Sequence, residues 1–203
     1  MTDNCYEREI LETFPGLEAS VKTIENGQSF ETFDPHLSLR AIHTPGHLDD
    51  HMSFALTSSN PDEKLLISGD IILGTPSAII DDLDVYLQNL KALQAMNFDN
   101  ILLPHSVGDQ TEQIIVDAKT KLSDYITYRE SRLAELVGCF QPSTKVARTE
   151  LFDRLYGSRG LNETLTIAAY RNLDLQIDKL VKDGTIACDT EGLFSLMNKN
   201  SKL

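Results

Sequence analysis

The sequence has no tryptophan, only three cysteines, and no apolar run near the roughly 18 residues of a membrane-spanning helix. Cys5, Cys139 and Cys188 are odd in number, far apart and free of CxxC spacing, which argues against a disulfide framework and against a structural zinc knuckle. Cationic side chains are scarce in the first part of the chain. Residues 1–115 hold 5 Lys and Arg against 19 Asp and Glu, whereas residues 116–203 hold 13 against 12, so the net charge of −13 belongs to the first part. Such a body repels phosphates at long range, and binding nucleic acid by diffuse charge is disfavoured. The opening MTDNCYEREILETFPG lacks the apolar core of a signal peptide and the arginine-rich, acid-poor helix of a presequence. A soluble, intracellular protein with no membrane partner is expected. Hydrophobic residues at 41% and charged residues at 24% match ordinary globular usage, so the chain is expected to fold rather than stay disordered.

The periodicity divides the chain in two. SFETFDPHLSLRAI at 29–42 alternates as two strands broken at Asp34-Pro35, with Phe30, Leu37, Leu39 and Ala41 inward. MSFALTS at 52–58, KLLISGD at 64–70 and NILLPHS at 100–106 read as further strands. Between the last two, Asp81 and Asp82 precede a helix with Leu83, Tyr86, Leu87, Leu90 and Leu93 at helical spacing. This alternation of strand and helix predicts an α/β layered domain over 1–115. A long helix is predicted from Thr111 to Phe140, with 116–140 as a connecting helix carrying the paired charges of ITYRESRLAELV. Two helices, STKVARTELFDRLYG and ETLTIAAYRNLDLQIDKLVKDG, and a hairpin turning at Glu191-Gly192 follow. Helix, helix, hairpin is the winged-helix order, assigned to 141–203 and expected to fold independently.

Four of the five histidines lie in or near HTPGHLDDH, and the fifth is His105. A hydrolytic metal site needs neutral imidazoles and carboxylates converging from strand ends, with one position open for water. His47 after the Pro45-Gly46 turn, Asp70 at the end of one strand and His105 at the end of another are candidate metal ligands. His43 reads as a structural hydrogen-bonder, His51 as a support behind the ligands and His36 as a surface turn residue. Asp81, Asp82 and Asp84 read as a capped, solvated helix start. Arg171, Lys179 and Lys182 are candidate substrate-binding residues, facing phosphates or solvent in equal measure. No catalytic acid or base is assigned.

HTPGHLDDHMSFAL, LLISGDIILGTPSAIIDDLDVYLQNLKAL and ILLPHSVGD together resemble the second half of the metallo-β-lactamase fold, and specifically the lactamase-β-like endoribonucleases of the beta-lactamase-like protein 2 family. The resemblance implies the C-terminal half of an αββα sandwich followed by a winged-helix domain. It implies that His47 binds a first zinc, that Asp70 bridges two zincs and that His105 binds the second. The family's HxHxDH signature, which supplies four of seven ligands, does not occur in this sequence, and LLPHSVGD departs from the family's PGHGP-like pattern at His105. At most one zinc, held weakly, is therefore expected here, with little or no turnover. The function implied is zinc-dependent cleavage of single-stranded RNA. The alternatives are hydrolysis of a glutathione, acyl-carrier or coenzyme A thioester, and a non-catalytic truncated form that self-associates through its incomplete domain. The final Ser201-Lys202-Leu203 matches a peroxisomal matrix signal, with mitochondrial matrix or cytosol as the other addresses.

Overall fold

Period-two alternation gives the first half of the molecule its sheet. The structure, a computed structural model, describes residues 22–59, 63–73, 79–104 and 115–197 together with Thr13 and Gly16. β1 (Ser29–Glu31) and β2 (Leu37–His43) pair antiparallel around the turn at Asp34-Pro35. β2 pairs along its whole length with β3 (Met52–Ser58), and β3 pairs with β4 (Lys64–Ile67). Helix α1 (Leu83–Ala95) returns the chain so that β5 (Asn100–Leu102) lies parallel to β4, and β6 (Ile115–Asp117) completes the order β1-β2-β3-β4-β5-β6. Asp82 caps α1 by accepting from the backbone N–H groups of Asp84 and Val85. The helical stripe of Leu83, Tyr86, Leu87, Leu90 and Leu93 is buried.

Several boundaries differ from the sequence expectation, among them β5, which ends at Leu102 where the sequence predicts a strand over 100–106. The long helix α2 spans Ala118–Gly138, and part of what precedes it is strand: Val116 pairs with Ile101 and packs on the core, while the Asp117 carboxylate accepts from Thr120 N at 2.7 Å and starts the helix. β4 stops at Ile67, because Gly69 adopts φ +57 and opens a 3₁₀ turn over Gly69–Ile71 that carries Asp70. Val146 and Ala147 form β7 rather than the first turn of a helix, since both pair with the hairpin.

The six-stranded sheet is apolar on both faces. Ile42, Ala55, Leu66, Ile101 and Val116 lie against α1 and α2 in one core with Leu90, Leu93, Leu122 and Tyr125. The cross-strand rows Phe30–Leu39–Leu56–Leu65 and Ala41–Phe54–Ile67–Leu102 occupy the other face, with Phe54 and Leu56 partly exposed.

After α2 come α3 (Arg148–Tyr156), α4 (Glu163–Lys182) and the hairpin of β8 (Ile186–Cys188) and β9 (Leu193–Leu196), in a sheet ordered β7-β9-β8. Their core gathers Leu136, Phe140, Val146, Leu151, Leu173, Ile177, Leu180 and Ile186. Leu133 of α2 packs against this core and against the first one. No described helix is long and apolar enough to cross a membrane.

Candidate functional site

The HTPGH turn is fixed from beneath by α1. The Pro45 carbonyl accepts from the Asn89 side chain at 2.7 Å, and the Gly46 carbonyl accepts from Asp81 N at 2.8 Å. Gly46 has φ +119, and a Cβ there would fall 2.7 Å from the Tyr86 backbone, so only glycine fits the approach. This places the His47 ring, largely buried, beside the Ile79 carbonyl.

Hydrogen bonding settles which nitrogen of His47 is tied to the backbone. Nδ1 lies 2.6 Å from Ile79 O, and a carbonyl oxygen only accepts, so Nδ1 carries the proton. Nε2 then faces Asp70, whose Oδ2 is 3.8 Å away. An imidazole held by a backbone carbonyl at one nitrogen and directed by the other toward a carboxylate is the usual posture of a metal-binding histidine.

His51 stands behind this pair, its ring perpendicular to that of His47 with centroids 5.8 Å apart. Ser53 Oγ donates to Ser68 O at 2.8 Å, so it accepts from the Thr44 hydroxyl 2.9 Å away. Thr44 Oγ1 has then spent its proton and accepts from His51 Nδ1 at 2.8 Å. The relay leaves His51 Nε2 as a buried lone pair without a hydrogen-bond partner, against Gly69, where a Cβ would come within 2.7 Å of it. Burial, and then the neighbouring His47, hold the His51 pKa below the ordinary histidine range, so its ring is neutral.

The sequence alone missed the rest of this support, because periodicity says nothing of the partners that a hydroxyl group finds. Tyr125 on α2 donates to Leu73 O at 2.6 Å and accepts from Leu73 N at 2.9 Å, tying down the chain that follows Asp70. Tyr86 also donates to this segment, at Ile71 O, at 2.7 Å. His43 Nε2 donates to Asp49 O at 2.7 Å, and His36, at the Asp34 turn, is exposed.

His47 and Asp70 are thus brought together, while His105 lies outside the described residues. No group of three or more His, Cys, Asp or Glu positioned for a metal ion occurs among the described residues. Two donors fall short of the three protein ligands of a hydrolytic zinc centre, so the described residues do not by themselves fit the metal. Arg171, Lys179 and Lys182 meet protein carboxylates: Arg171 pairs with Asp81, Lys179 with Asp84 and Asp183 at 2.7 Å each, and Lys182 with Asp82 at 2.9 Å. The acidic start of α1 is therefore where α4 docks, rather than an open solvated cluster.

No family model matches the chain. It is 28% identical over 157 residues to the beta-lactamase-like protein 2 homolog of Caenorhabditis elegans, covering 77% of this chain and 49% of that protein. It is also 28% identical over 177 residues to an atrochrysone carboxyl ACP thioesterase of Paecilomyces divaricatus, covering 82% of this chain and 51% of the relative. The chain spans about half the length of these curated relatives. In structure it resembles a beta-lactamase domain protein from Burkholderia ambifaria, with a TM-score of 0.66 at 19% identity over 87% of this chain and 52% of the other. A metallo-β-lactamase family protein of Thermus thermophilus superposes with a TM-score of 0.59 at 18% identity, over 86% of this chain and 54% of the other. The fold is that of these metallo-β-lactamase proteins.

Proposed function

We propose that this chain, which carries the second part of a metallo-β-lactamase fold, contributes His47 and Asp70 to the centre of a metal-dependent hydrolase. The observation that carries the proposal is the hydrogen bond from His47 Nδ1 to Ile79 O, which turns Nε2 toward the Asp70 carboxylate. A ring nitrogen and a carboxylate so held can accept protons and orient water at the strand ends, where chemistry is grafted on such folds. Zinc is the metal the sequence resemblance implies, at most one ion in this chain, with His105 as a further proposed ligand.

Single-stranded RNA is the proposed substrate on the resemblance to the beta-lactamase-like protein 2 family, to whose worm homolog the chain is similar. On this reading residues 141–203 form a winged helix that shapes the approach to the centre. A thioester is the second reading. It is favoured by the thioesterase name of the fungal relative and by the ion pairs that engage Arg171, Lys179 and Lys182 within the protein. Zinc content by mass spectrometry, with hydrolysis of single-stranded RNA and of an acyl-coenzyme A measured side by side, tests both for the parent, His47→Ala and Asp70→Asn. Zinc binding that falls in both variants supports the proposal, and zinc binding unchanged in both overturns it. The C-terminal Ser201-Lys202-Leu203 lies outside the described residues, and a peroxisomal address is proposed from the sequence. An N-terminally tagged copy should colocalise with a peroxisomal marker and become diffuse when Leu203 is deleted.

A further inference from the structure

On the helix-bearing side of the sheet, past the end of α1, a cavity of about 500 Å³ opens with Asn26, Arg40, Thr57, Lys64, Met96 and Phe98 in its walls. Residues 1–115 carry 19 Asp and Glu against 5 Lys and Arg, yet no acid among the described residues lines this cavity and two of the five cations do. Strand pairing puts both cations on one face: Arg40 lies opposite Ala55, and Lys64 lies opposite Thr57, two residues further along β3. With strands about 4.8 Å apart and about 3.4 Å per residue, their Cα atoms are about 12 Å apart, so two long side chains can reach one small ligand.

Neither cation is matched inside the protein. Lys91, Arg148, Lys179 and Lys182 each meet a carboxylate, whereas the side chains of Arg40 and Lys64 have no ion pair among the described residues. Arg40 is exposed and Lys64 partly so, and neither charged end is closed to solvent. The Arg40 guanidinium lies over Gly27, where a Cβ would come within 3.2 Å of Nη2. Asn26 Oδ1 accepts from His43 N at 2.9 Å, which leaves Nδ2 as the other end of the amide, a donor. The polar walls are therefore donors, joined by the Thr57 hydroxyl. The floor is apolar, with Ile42 and Ala55 packed on the core and Phe98 and Met96 beside them.

We propose that this cavity binds a monocarboxylate with an apolar chain, of the class of a medium-chain fatty acid. The carboxylate sits between the fork of the Arg40 guanidinium and the Lys64 ammonium, with Asn26 as a further donor. The chain lies on Ile42, Ala55 and Phe98, and the flexible Met96 at the rim adapts to it. A single negative charge is favoured over a phosphate dianion, because the two local cations must outweigh a body of net charge −13. The assignment is independent of the hydrolase proposal, since neither His47 nor Asp70 lies in the walls.

The test uses the full 203-residue chain. Hexanoate, octanoate, 1-octanol and octyl phosphate are titrated separately at neutral pH and constant ionic strength, with the Ala55 and Met96 methyl and Arg40 Nε resonances followed by NMR. Octanoate should shift all three saturably and bind about tenfold more tightly than hexanoate, as two further buried methylenes require. 1-Octanol, which keeps the chain without the charge, should bind about tenfold more weakly than octanoate, and octyl phosphate should bind no more tightly than octanoate. Arg40→Gln and Lys64→Gln, neither of which breaks an ion pair among the described residues, should each weaken octanoate by about tenfold and leave 1-octanol unchanged. Arg159→Gln, outside the cavity, should leave octanoate binding as it is in the parent. Absence of saturable shifts with octanoate, equal affinity for hexanoate or 1-octanol, tighter binding of octyl phosphate, or unchanged octanoate binding in both Arg40→Gln and Lys64→Gln would each overturn the proposal.

Discussion

Nε2 of His47 and Oδ2 of Asp70 face each other across 3.8 Å, delivered by loops that leave two different strands. Neither position is set by its own strand alone, since α1 holds the turn before His47 and α2, through Tyr125, holds the segment after Asp70.

Removing either partner should cost function without unfolding the chain. His47→Ala and Asp70→Asn are each expected to lower zinc affinity by at least about 10–100-fold. Their melting temperatures without metal should stay close to that of the parent, as read by circular dichroism. A large loss of stability in both would mean that the pair is structural.

Glycine is required at two points beneath the site. Gly46→Ala would press a Cβ to 2.7 Å from the Tyr86 backbone at φ +119, and Gly69→Ala would press one to 2.7 Å from His51 Nε2 at φ +57. Each should destabilise by about 2 kcal/mol or more through strain and overlap. Gly46→Ala should be the worse, because backbone cannot move aside as a ring can. Urea unfolding of the two variants checks both the size and the order.

Tyr125→Phe should destabilise the protein by about 1–3 kcal/mol, since it leaves both the N–H and the carbonyl of Leu73 without their side-chain partner. Burial pushes the Tyr125 hydroxyl up to about 12, so the loss should be independent of pH through the neutral range. Amide exchange at Leu73 should accelerate in the variant, and an unchanged rate there would contradict the role assigned to this hydroxyl.

The hairpin turn carries an acid-sensitive lock. The hydrogen bond from Lys145, followed by the N–H groups of Leu193 and Glu191, holds the Asp189 carboxyl down at about 2, against an ordinary 3.8. A depressed folded pKa contributes stability that is fully present above 3.8 and is lost as pH falls toward about 2. The Asp189 carboxyl carbon should therefore titrate near 2 by NMR, and Asp189→Asn should abolish the acid dependence of exchange at Leu193. A midpoint near 3.8 would show that the lock does not form.

Long periodic segments were legible in the sequence, and so were the strands that alternate. The Leu83 to Leu93 stripe and the seven residues of β3 lie where their patterns put them. β6 was not legible, because three residues between a loop and a helix show no period, and only pairing with β5 reveals them. Arg129 and Arg132 belong to the paired charges of ITYRESRLAELV, yet both are buried, each guanidinium beside a tyrosine ring. At the site, residue types announced His47 and Asp70. The tautomer of His51 depends on a chain of hydroxyl donors through Thr44 and Ser53 that exists only once β2 and β3 are side by side.

Leu133 belongs to two cores at once, on a helix whose earlier turns bury Leu122 and Tyr125 in one and whose last turns bury Leu136 in the other. A helix shared in this way acts as a mechanical shaft. Force or heat applied to the C-terminal hairpin should reach the sheet through it, so that, in place of the independent folding the sequence suggests for 141–203, the two parts should melt in one calorimetric transition, with the amides around Leu133 among the last to exchange.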